Sequence, residues 1–285
     1  MAKTLRAIRF LAVAALTGWG ASGTARGWGY EAHRIVVDNA IELLPPGLKP
    51  FFSASARAVR EAVLEPDTVL KEEYGREEAV RHFLNLDLLD RPPFQGIPRE
   101  YDAALARFGR ERMEQAGRLP WRAADLLREL TAAFRAGAWE AAAIRAGHLA
   151  HYVADATQPL HATVNFDGQD SCNLGIHQAF EWRLIDLDPP GYRKGARARQ
   201  KRAVYLDRPV EVAFRLLVEA YPLHREILEA DRAAVQAVKA GEGEYFAVLE
   251  GRVRDLAEGQ LAEAGTAVAS FWITAWMDAG QVRTP

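Results

Sequence analysis

One cysteine, Cys172, occurs in 285 residues, so no disulfide can form within the chain and no closed thiolate zinc site is available. A lipid-anchored protein would need that cysteine directly after an export signal, and it lies far downstream. Long apolar runs are also missing near the N-terminus, where Phe10 to Leu16 is too short to cross a bilayer. No useful stretch alternates apolar and polar residues with period two, and there is no internal repeat or low-complexity tract. These absences argue against a sheet-based fold and against a solenoid. A basic excess is lacking too: 36 Lys and Arg stand against 38 Asp and Glu. That balance disfavours a protein that coats nucleic acid through a positive surface.

The first 27 residues differ in character from the rest. Lys3, Arg6 and Arg9 precede the short apolar run, and Ala25 and Gly27 are small residues at the positions a signal peptidase reads. Residues 1–27 therefore read as a cleaved secretory signal, with residues 28–285 forming one catalytic domain and no stable membrane anchor. Cleavage after Gly27 removes four basic residues and no acidic one, leaving a net charge of −6. A secreted or periplasmic location follows as the expectation. A chain of that length with about half its residues apolar can build one substantial core without disulfides.

Helical periodicity dominates. Helices are expected over 33–46, 119–137, 139–155, 209–222 and 244–278. The last of these is apolar nearly all round toward its end, which places it at the centre of a bundle. Residues 188–208 hold seven Lys or Arg after a Pro-Pro-Gly start and read as a solvated loop or helix start. The expected fold is a single all-α domain.

The chemistry concentrates in "HYVADATQPLH", residues 151–161. His151 and Asp155 are one helical turn apart and share a face. Pro159 breaks the helix and re-aims His161. His177 and Glu181 repeat the His-x-x-x-carboxylate spacing, while His82 lies in "RHFLNLD", Asp67 in "EPDTV" and His33 five residues after Trp28. A lone histidine is usually a satisfied core or surface residue, and an Asp after Pro is usually a cap. Taken together the pattern points to a His-and-carboxylate metal site of the open, catalytic kind, for zinc, manganese or iron.

The ordered set "WGYEAH", "EPD", "HF", "HYVADATQPLH" and "NLGIHQAFE" resembles the zinc-dependent phospholipase C and S1/P1 nuclease superfamily. The resemblance implies a secreted, multi-helix phospholipase C/P1 nuclease-like bundle with three Zn2+ ions. One zinc would be held by Asp67, His82, His151 and Asp155, and a second by His161, His177 and Glu181. The third would take His33, Asp155 as a bridge, and the α-amino nitrogen and carbonyl of Trp28. Asp67 would also orient or deprotonate the attacking water. His148 shares the His151 face and His224 has no partner in sequence; both read as structural.

A phospholipid or a single-stranded nucleic acid is the implied substrate, cleaved at a phosphodiester bond, with no obligate protein partner. Glu181 leans to the phospholipase side. The short Trp28 to His33 spacing, and Phe83 where a nuclease stacks a base, lean to the other. The competing reading is a non-catalytic periplasmic zinc-binding protein. An HD-type phosphohydrolase is disfavoured because the chain has no His-Asp dipeptide.

Overall fold

The computed structural model describes residues 28–285, and the expected signal segment 1–27 lies outside the described residues. Among the described residues no strand forms; one isolated antiparallel bridge joins Leu84 to Gly117. The principal helices are α1 (Tyr30–Glu42), α2 (Ala56–Ala62), α3 (Leu119–Arg135), α4 (Trp139–Asp155), α5 (Pro189–Arg199), α6 (Pro209–Ala220), α7 (His224–Ala240) and α8 (Tyr245–Asp278). The all-α expectation holds, and no described helix is long and apolar enough to cross a membrane.

Helix α8 packs against α1, α3, α4, α5 and α7. Its second half is buried from Leu261 to Ala275 save for Glu263, and Ala264, Gly265, Ala267 and Ala269 keep it thin enough for its neighbours to close around it. Trp272 is fully buried, stacks on Phe52 at 4.2 Å and donates its indole N–H to the Ala146 carbonyl at 3.1 Å. That bond satisfies the one polar atom of a large apolar side chain and ties α8 to the middle of α4.

The basic segment is a strap. It forms α5, then runs extended along α8, where the amides of Lys201, Val204 and Leu206 donate to the hydroxyls of Thr266, Ser270 and Thr274. Those hydroxyls recur every four residues and so line one face of the helix. Its cations are paired across the fold: Arg193 with Asp38, Arg197 with Glu42, Arg199 with Asp255 and Glu258, and Lys201 with Glu263. The expected helix start is present, while the rest of the segment is fixed by α8 instead of running as a free loop.

Candidate metal centre

Helix α4 carries His151 and Asp155 in its last turns, both fully buried. Gly147, one turn earlier, lets α4 approach α2 closely: a Cβ there would lie 2.6 Å from Ala62 Cβ and 2.8 Å from the Val59 carbonyl. The approach brings the Val63 carbonyl, just past α2, to 2.7 Å from His151 Nδ1. Only a ring N–H can satisfy that oxygen, so His151 Nε2 keeps its lone pair. Beyond α4, Gln158 is extended and Pro159 opens a 3-10 turn over Pro159–Ala162, as the break after Asp155 predicted. His161 then donates from Nδ1 to the His82 carbonyl at 2.7 Å, which turns its Nε2 toward His177 and Glu181.

A loop from 163 to 175 brings in the next pair. Asp167 accepts the amides of Gly175 and His177, and Asn173 is held by Asp231 at 2.6 Å and by the Leu228 carbonyl on α7. His177 and Glu181 follow, with Glu181 in a π-helical turn, Ala179–Arg183, a deformation that recurs at functional sites. The Glu181 carbonyl accepts the Gly29 amide at 3.1 Å. The glycine eases this approach, since a Cβ would sit 3.0 Å from Trp182 Cα and 3.1 Å from the Glu181 carbonyl. Through this contact Trp28 N reaches 3.2 Å from Asp155 Oδ1, with its indole ring buried against Phe180.

Three groups of three side chains each bring their ligating atoms within 4.8 Å of one another: His33, His151 and Asp155; Asp67, His82 and His151; and His161, His177 and Glu181. The eight side chains expected as ligands thus meet in these groups, and Trp28 N joins through Asp155. The two Asp155 oxygens face different ways. Oδ2 lies 3.1 Å from His82 Nδ1 and 3.3 Å from His151 Nε2, while Oδ1 lies 3.5 Å from His33 Nε2. His82 Nδ1 is 2.9 Å from His151 Nε2 and 3.8 Å from Asp67 Oδ1. In the separate group the three spacings are 3.2, 3.7 and 2.7 Å. Four donors about 2.0–2.1 Å from a tetrahedral zinc lie about 3.3 Å from each other, a separation near those found here, and His151 Nε2, common to the first two groups, can serve only one ion.

The donor chemistry fits a cation as well. His151 Nε2 and His161 Nε2, whose rings each commit Nδ1 to a carbonyl, face another ring nitrogen at 2.9 and 3.2 Å. A proton or a cation must lie between such atoms. Both His33 nitrogens and Asp67 Oδ1 are buried with no hydrogen-bond partner, a costly state for polar atoms unless a ligand takes them. Burial, then the neighbouring His151, pushes His33 down to about 3. Burial alone would raise Asp155, but the ring nitrogens of His151, His82 and His161 hold it well below the usual carboxylate range. His82 goes the other way, up to about 9, because Asp155, Glu78 and Asp67 outweigh its burial. Burial pushes Glu181 up to about 8.

A cavity of about 630 Å³ opens beside the third group and is lined by His161 and His177. Its walls include Val80, Phe83, Leu160 and Phe166, with Lys71 and Arg76 also lining it. Lys71, which the sequence reading passed over, lies 3.5 Å from Asp67 Oδ1. Its i,i+4 spacing from Asp67 was the available signal. Phe83 belongs to this lining and is half-buried. His148 pairs with Glu65 at 2.7 Å, and His224 caps the Tyr221 carbonyl at the start of α7; neither joins the groups.

No protein-family model matches the chain, and no curated protein matches it. Among solved structures its fold is similar to that of alpha toxin from Clostridium absonum, with a TM-score of 0.52 and 15% identity. The match covers 92% of this chain and 66% of that one. The likeness is one of fold, and it agrees with the all-α expectation.

Proposed function

We propose that this protein is a zinc-dependent phosphodiesterase acting on phospholipid, with residues 28–285 as its catalytic domain. The observation that carries the reading is the convergence of buried imidazole nitrogens and carboxylate oxygens, which lie within 4.8 Å of one another in each of the three groups. Asp67, His82, His151 and Asp155 would hold one zinc; His161, His177 and Glu181 a second; His33, Asp155 and the Trp28 amine and carbonyl a third. The last set is complete only when Trp28 is the first residue, which gives removal of the signal a chemical role. It also makes the chain an exported one.

Bound zinc supplies Lewis acidity toward a phosphoryl oxygen and an activated water at neutral pH. The chain supplies the rest. Asp67 Oδ1, with no hydrogen bond of its own, is positioned to orient or deprotonate the attacking water. Lys71 and Arg76 present positive charge to a phosphodiester at the cavity. The apolar walls formed by Val80, Phe83, Leu160 and Phe166 suit the glycerol and acyl portion of a lipid.

The test is turnover by protein that begins at Trp28. Hydrolysis of phosphatidylcholine micelles, abolished by chelation and restored by zinc, is expected. Cleavage of single-stranded DNA or RNA instead would keep the chemistry and replace the substrate. Stoichiometric zinc with no hydrolysis of either would make the protein a metal binder and refute the enzyme.

A further inference from the structure

Two rings in the centre, His151 and His161, turn Nε2 toward a neighbouring ligand and donate Nδ1–H to a backbone carbonyl. His82 is turned the other way. It presents Nδ1 to Asp155 and His151, and its outward nitrogen, Nε2, has no hydrogen-bond partner. The one acidic group within ion-pair distance of that nitrogen, among the described residues, is Glu78, with Oε1 at 3.6 Å.

Glu78 is an unusual residue to find there. Its side chain is fully buried, although a buried carboxylate is costly unless it is paired. It is held from both sides: Tyr152 O–H donates to Oε1, and Arg81 Nη1 donates to Oε2 at 2.7 Å. The sequence places Glu78 one helical turn before His82, so the carboxylate and the ring leave the same face. The two donors fix the carboxylate against Nε2 and stop it from turning away.

We propose that Glu78 is the positioning residue of the His82 site, taking the His82 Nε2–H so that Nδ1 offers its lone pair to the metal ion. The inference rests on the metal-centre reading above. Such a carboxylate orients the imidazole and raises its basicity as a ligand. Glu78 reaches no substrate and is not a catalytic residue.

The test uses mature protein from Trp28 with Glu78→Gln, Glu78→Leu and Tyr152→Phe variants. Zinc affinity is read by competition with a chromogenic chelator, and the visible spectrum of the cobalt(II)-loaded protein reads ligand geometry. Glu78→Gln is expected to lower affinity at one site about 10- to 100-fold, the cost typical of losing such a partner, and to shift the cobalt bands. The His161, His177 and Glu181 site should keep its affinity. Glu78→Leu should do at least as much, and Tyr152→Phe less. Unchanged affinity and spectrum in folded Glu78 variants would overturn the proposal. So would an equal loss at every site together with a lower Tm of the metal-free protein, because that is what a merely structural ion pair predicts. A wild type that binds no metal overturns the metal-centre reading and this inference together; metal-loaded wild type with unaffected variants overturns this inference alone.

Discussion

Gly147→Ala sets two physical effects against each other. In a solvated helix the exchange favours Ala by about 0.8–1 kcal/mol through propensity. Gly147 is not solvated. The added Cβ would meet Ala62 Cβ at 2.6 Å, the Val59 carbonyl at 2.8 Å and Val63 N at 2.9 Å, whereas carbon atoms rest at about 3.5–4.0 Å. Two of the three neighbours are backbone and cannot rotate aside, so α4 and α2 must separate by about 1 Å to restore that spacing. Overpacking costs about 1–3 kcal/mol, and three contacts under 3.0 Å put Gly147 in the upper half of that range, which overtakes the propensity gain and leaves a net loss of about 1–2 kcal/mol. The expected Tm drop is about 2–8 °C for a chain of this size. Gly251→Ala is the internal control, since Gly251 lies in α8, is exposed, and has nothing within 4 Å of its Cβ position. It should raise Tm. Calorimetry on both variants reads the comparison directly, and zinc affinity should fall in Gly147→Ala alone because the Val63 carbonyl that anchors His151 moves with α2. A Gly147→Ala protein as stable as Gly251→Ala would refute the close helix contact.

Three further outcomes are expected. Asp155→Asn removes the carboxylate whose two oxygens face different ligand groups, so elemental analysis should find zinc retained only at the His161, His177 and Glu181 site. Protein that keeps residues before Trp28 has an amide where the mature chain has an amine, and it should bind one zinc fewer at saturation. Burial, opposed by the Tyr221 carbonyl, holds His224 below 6.5. The folded state therefore takes up its proton later than the unfolded one, and the stability difference between wild type and His224→Gln should shrink as pH falls below about 6.5, read by urea melts.

Much of the fold was legible because its long helices announce themselves. The 139–155 expectation matches α4, and 244–278 matches α8 to within a residue, since Gly137 precedes the first and the extended Glu244 opens the second. The start of α1 lies earlier than the apolar stripe indicated, because Tyr30 and Glu31 face outward and add nothing to periodicity. Among the candidate ligands, His151 with Asp155 and His177 with Glu181 were legible from their i,i+4 pairs and His161 from the Pro159 break, whereas the roles of Trp28, His33, Asp67 and His82 came with the motif resemblance. Glu78 was not singled out, although it stands in the same one-turn spacing to His82, because "REEAVRHF" looks like a solvated charged face. What sequence could not supply was the burial. The basic strap is similar: its charges were visible, but their partners Asp38, Glu42, Glu258 and Glu263 come from α1 and α8 and are distant in the chain.

The central claim is that the converging lone pairs hold metal. X-ray diffraction from crystals of protein beginning at Trp28, collected above and below the zinc absorption edge, tests it most directly. Three anomalous peaks are predicted: between Asp67, His82, His151 and Asp155; between His161, His177 and Glu181; and between His33, Asp155 and the Trp28 amine. Zinc-saturated crystals with no anomalous peak at these groups would contradict the account.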